Sequence, residues 1–164
     1  MQSLLPTAER VGALLKARGE TVAVSESSCG GLVSAALLSL PGASSYFMGG
    51  AVVYTGVARA ALLGIGPEQM TGLRSASEPY AALLARTVRA RFGTDWGIAE
   101  TGAAGPSGNR YGDQPGHACL AISGAAELVT TLETGSADRQ ANMRAFGAAL
   151  LALLLGALDP ASAA

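Results

Sequence analysis

A β-branched run that passes without a break into a glycine turn and then into a helix constrains this chain more than any other feature. Residues 21–25 (TVAVS) read as a short buried strand. Ser25-Glu26-Ser27-Ser28-Cys29-Gly30-Gly31 then turns the chain into a helix over residues 32–40, which Pro41-Gly42 ends. The order recurs further on, where a strand over residues 96–100 leads into a Gly/Pro/Ser/Asn-rich loop over 102–116. Loops at the carboxyl ends of strands are where open α/β sheets take their ligands.

The remaining segments extend the pattern. Thr7 is positioned to cap a first helix to Arg18, with Gly19 as its stop and Val11, Leu14 and Leu15 on one stripe. Residues 50–54 (GAVVY) read as a strand, 57–63 as a short helix stopped by Gly64, and 77–92 as a helix opened by Ser77 and Glu78-Pro79. Residues 117–123 and 128–132 supply two more strands, and a last helix covers about 137–158. Alternation of this kind predicts one domain, an α/β/α three-layer sandwich on a mixed, mostly parallel sheet of about five strands. Its core is expected over about 7–157, with a frayed alanine-rich tail at 159–164. The last helix is apolar nearly all round from 145 to 158, which suits either a core helix or a homodimer face.

Charge and cysteine usage narrow the function classes. Eleven Lys+Arg against twelve Asp+Glu, net −1, leave no basic excess for nucleic acid. Two isolated cysteines, Cys29 and Cys119, make neither a disulfide framework nor a C-x-x-C metal pair, so no metal or cofactor is expected. Pro6, Glu9 and Arg10 interrupt any apolar signal segment, and the run 145–158 is short of the ~20 residues that span a bilayer. A cytoplasmic chain with no membrane partner is the expectation.

The first glycine turn offers backbone N–H groups at a helix start, suited to a phosphate or an oxyanion. It equally suits a tight turn of capping residues. Ser28, Cys29, Gly30 and Gly31 are its candidate ligand contacts, and Thr101-Gly102-Ala103-Ala104-Gly105 those of the second loop.

Several motifs in order resemble the CinA C-terminal domain family, whose stand-alone members include PncC, the bacterial nicotinamide mononucleotide deamidase. The family's A-E-S-C-T-G-G is similar to Ser25 through Gly31, its P-G-S-S to Pro41-Gly42-Ala43-Ser44-Ser45, and its V-T-Y-S-N-E-A-K to Val52 through Arg59. L-L-G-V, V-S-E-P and T-G-I-A-G-P correspond to Leu62-Leu63-Gly64-Ile65, Ala76-Ser77-Glu78-Pro79 and Thr101 through Pro106, and a late D-R to Asp138-Arg139. The likeness covers about residues 7–157 and does not include the family's separate N-terminal domain.

The resemblance implies metal-free hydrolysis of the carboxamide of a pyridine nucleotide, with ammonia released, by a homodimer. It implies a serine nucleophile at Ser27, an assisting tyrosine at Tyr54 and a lysine base, with Ser44 and Ser45 among the substrate contacts. Arg59 stands where the lysine should be. Arginine stays charged in proteins and takes no proton from a serine. The only lysine, Lys16, precedes the first strand. Glu100, where the family has an apolar residue, either pairs with Arg59 or serves as a substitute base. His117 is either an acid–base group or a strand-start residue satisfied by a carbonyl, and Cys29 either a second nucleophile or a small buried residue. Amide hydrolysis is therefore expected to be weak or altered; the alternative is a degenerate relative that binds a nucleotide or a protein partner.

Overall fold

Residues 1–159 are described by a computed structural model, so the tail beyond Asp159 lies outside the described residues. The chain runs α1 (Leu5–Arg18), β1 (Val22–Glu26), α2 (Leu32–Leu38), β2 (Phe47–Val52), α3 (Gly56–Leu63), α4 (Glu78–Phe92), β3 (Trp96–Ala103), β4 (His117–Ser123), β5 (Glu127–Glu133) and α5 (Arg139–Leu158). The five strands form one mixed sheet in the order β2-β1-β3-β4-β5. β1 pairs parallel with β2 and β3, and β4 antiparallel with β3 and β5, so only β4 opposes the common direction. Helices cover both faces, which gives the three layers.

Local chemistry sets the helix ends. Thr55, Ser77 and Asp138 accept hydrogen bonds from the N–H groups of Ala58, Tyr80 and Ala141 at the starts of α3, α4 and α5. Thr7 caps nothing: α1 starts at Leu5, with Pro6 in the first turn, where its missing N–H costs no hydrogen bond. α2 ends at Leu38, before Leu40. β2 begins at Phe47 and stops at Val52, which leaves Tyr54 beyond the strand. β3 outruns Glu100 because Thr101, Gly102 and Ala103 continue the ladder opposite Cys119, Ala118 and His117.

Strand alternation sorts the two cores. Val22, Val24, Ile98, Leu120 and Ile122 point into the layer of α1, α2 and α5. Ala23, Ala51, Ala99, Cys119 and Ala121 point under α4. α5 is long and apolar enough to cross a membrane by length and composition. Phe146, Leu150, Leu151, Leu154 and Leu158 are nevertheless buried against α1, α2 and the sheet, the place of a core helix. Each such side chain stabilises the fold by roughly 1.5–3 kcal/mol.

Small residues on the α4 face let that helix come close. A Cβ at Gly97 of β3 would lie 2.1 Å from the Ala85 carbonyl oxygen and 2.6 Å from the Arg89 Cβ. Gly97→Ala is therefore expected to lower unfolding free energy by about 1–3 kcal/mol, read as a lower urea midpoint. An unchanged midpoint would contradict this helix–sheet contact.

Candidate active site

The carboxyl ends of β1, β2 and β3 open onto one cleft of about 530 Å³. Ser27, Tyr54, Arg59, Thr101 and Gly102 line it, together with Ala76, Tyr80, Asn109, Arg110 and Tyr111. Ser27, one residue past β1, is half-buried, and its hydroxyl has no hydrogen-bond partner among the described residues. On the same face one step back, the buried Ser25 hydroxyl is also unpartnered.

The turn after β1 is held from below by two buried carboxylates. Glu26 accepts from the N–H groups of Gly31 (3.0 Å), Val33 (3.0 Å) and Ser34 (2.8 Å) and from the Ser34 hydroxyl (2.7 Å). Glu100 accepts from the N–H groups of Ser27 (3.1 Å) and Cys29 (2.8 Å), while the Ser28 hydroxyl donates to its other oxygen. Neither carboxylate has a cationic partner among the described residues. The amides that a ligand anion was expected to use are thus bonded to the protein's own acids. Gly30 and Gly31 serve this turn in the left-handed region, with φ +65° and +97°.

Glu100 forms no pair with Arg59 and donates nothing to the cleft. It follows Ile98 on the α2/α5 side of β3, whereas Thr101 faces the α4 side with Ser27. Burial pushes its carboxyl above the ordinary range, against the lowering by its three donors. Cys29 is fully buried, and burial first, then Glu100 and Glu26, pushes its thiol well up. This disposition is that of a core residue, not of a thiolate nucleophile.

Arg59 on α3 is half-buried in the cleft wall. Its Nε donates to the Ile65 carbonyl (3.2 Å), and its guanidinium lies 5.8 Å from the centre of the Tyr80 ring. Among the described residues no carboxylate comes within ion-pair distance of it. Tyr54 is 58% exposed; its hydroxyl accepts from Arg139 Nη2 (3.2 Å), whose guanidinium also covers the ring. Arg139 reaches the Gly105 carbonyl as well (2.6 Å), joining α5 to the second loop.

His117 stays behind the cleft. Its Nε2 donates to the Ala76 carbonyl (3.0 Å) and its Nδ1 faces the Glu133 carboxylate. Burial alone would lower its pKa, but Glu133, the Ala76 carbonyl and Asp113 together raise it and favour the cation. It is the strand-start residue satisfied by a carbonyl and holds the cleft wall from outside. Ala76 adopts φ +53°, a strained value for a residue with a side chain, and Thr101 Oγ1 accepts from its N–H (3.2 Å).

Other expected contacts lie elsewhere. Ser44 and Ser45 precede β2, which runs parallel to β1, so they sit at the opposite end of the sheet. Ser28 and Cys29 face Glu100, and the Ala104 carbonyl accepts from Asn142 of α5 (2.8 Å). Ala103 closes the β3–β4 ladder. Tyr80, Arg110 and Tyr111 were not anticipated. An Asn109-centred turn presents the last two, with Asn109 Oδ1 accepting from the N–H groups of Tyr111 and Asp113. A two-point Arg74–Asp113 pair (2.6 and 3.1 Å) ties that turn to the Ala76 wall.

A three-layer α/β/α domain with a serine at the head of its β1 turn defines the class. The chain matches the CinA C-terminal domain over residues 5–158, and it belongs to that family. A CinA-like protein of Synechocystis sp. is 51% identical over 98 residues, covering 60% of this chain and 24% of that protein. One of Parasynechococcus marenigrum is 37% identical over 147 residues, 90% of this chain and 34% of that one. The chain thus spans between a quarter and about a third of these relatives' length. The crystal structure of competence/damage inducible protein CihA from Agrobacterium tumefaciens superposes with TM-score 0.87 at 28% identity, over 95% of each chain. That of a competence or damage-inducible protein from Enterobacter asburiae gives 0.86 at 28%, over 93% and 96%.

Because folding raises the Glu100 pKa, the folded chain binds that proton more tightly than the unfolded one. Its contribution to stability therefore falls as pH rises from the unfolded glutamate range, about 4.3, through the raised folded value. Glu100→Gln keeps the shape without the titration. Its urea midpoint is expected to gain on the parent's as pH climbs through that window; a constant difference would refute the assignment.

Proposed function

We propose that this domain is a CinA-type pyridine-nucleotide pocket in a soluble, cytoplasmic protein, in which carboxamide hydrolysis is slow because nothing in the cleft takes the Ser27 proton. One observation carries the reading: the cleft lining holds Ser27, Arg59 and Arg110, and no lysine, histidine or carboxylate. Two cations without an acid suit an anionic ligand. Tyr54, Tyr80 and Tyr111 add aromatic surface to the lining, each with a guanidinium, of Arg139, Arg59 and Arg74 respectively, over its ring. Ser27 and Tyr54 stand at the positions that the resemblance gives to the family's nucleophile and assisting tyrosine, and Arg59 supports binding where the family has a base.

A serine hydroxyl without a base is a poor nucleophile. Glu100 and His117 do not supply the base, since both are bonded behind the cleft wall. The test is ammonia release from nicotinamide mononucleotide. The parent chain is expected to run near background. Arg59→Lys, which restores a neutralisable amine, is expected to raise the rate by about 10²-fold, and adding Ser27→Ala should cancel that gain. Brisk release by the parent that Ser27→Ala abolishes would overturn the proposal.

A further inference from the structure

A guanidinium in the place of a base also bears on which functional group the cleft prefers. Arg59 is oriented before any ligand arrives. Its Nε is spent on the Ile65 carbonyl, and its guanidinium lies 5.8 Å from the centre of the Tyr80 ring and favours the ionised form of that phenol, with two Nη groups still able to donate further. No acid pairs with it, and no acidic side chain lines the cleft. A Cβ at Gly56, the first residue of α3, would lie 3.8 Å from Arg59 Nη2, so glycine there leaves that side of the fork uncovered.

A fixed guanidinium edge matches two oxygens in a plane and prefers them charged. A carboxamide offers one acceptor oxygen and turns an N–H₂ donor toward the second guanidinium N–H, donor against donor. A carboxylate on the same ring offers two acceptors and the compensating charge that Arg59 lacks. We infer that the cleft selects the acid form of its ligand: a pyridine nucleotide bearing a ring carboxylate, with Arg59 as the residue that sets this preference. The inference rests on the pyridine-nucleotide reading above and deepens it. The domain would retain the deamidated species, the chemical product of its family's implied reaction, rather than the amide.

Isothermal titration with nicotinic acid mononucleotide and nicotinamide mononucleotide tests this, since the two share phosphate, ribose and ring. The acid is expected to bind at least about tenfold tighter, the scale of one added charge-assisted hydrogen bond. Arg59→Gln should erase the ratio mainly by weakening the acid. Arg59→Lys, which has neither the planar fork nor a permanent charge, should retain at most part of it. The melting temperature of each variant checks that it is folded. Equal affinities, or tighter binding of the amide, would overturn the inference while leaving the pocket reading intact. Binding of neither nucleotide would overturn both.

Discussion

Two buried carboxylates without a cation fix the turn from which Ser27 projects. Glu26 satisfies the first amides of α2 and Glu100 those of Ser27 and Cys29. Carboxylates are costly to bury, and N–H and O–H donors offset that cost here, incompletely for Glu100, whose carboxyl stays above the ordinary range. The turn cannot relax without leaving a buried acid or several buried amides unpaired. Ser27 is therefore held at the cleft by its backbone, with its hydroxyl free. The same bonds remove those amides from use by a ligand, which leaves the charged side chains of the cleft as its remaining donors.

Those side chains are arginines. A lysine at residue 59 would exchange a proton with Ser27 once burial lowered its pKa. The guanidinium there is a permanent donor, braced by Ile65 and Tyr80. The remaining walls are braced with equal care: His117 and Thr101 clamp Ala76, Arg74 and Asp113 hold the Asn109 turn, and Arg139 ties Tyr54 to the second loop. The cleft walls are thus fixed on several sides around Ser27 and Arg59.

The order of elements and the three layers were legible because most strands are short runs rich in β-branched or small apolar residues, whereas the glycines of β2 (FMGGAV) hid where it begins. The convergence of Ser27, Tyr54 and Thr101 was legible too, since Ser27 and Tyr54 follow the carboxyl ends of β1 and β2 and Thr101 lies near that of the neighbouring parallel β3. Glu100 shows what was overlooked. Period-two alternation along IAET places Glu100 opposite Thr101 across the sheet, and this alone separates it from the cleft. Ser44 and Ser45 were carried by motif likeness, and the direction of β2 removes them to the far end. Tyr80, Arg110 and Tyr111 had no local signal as site residues, for their placement depends on long-range contacts such as Arg74–Asp113.

The central claim is that Ser27 sits in a formed pocket with no partner for its proton, and its reactivity measures this directly. The folded protein would be treated with a fluorophosphonate that labels activated serines, and the modified residue located by mass spectrometry. The expected result is labelling of Ser27 no faster than that of other exposed serines. Rapid labelling confined to Ser27 would contradict the account.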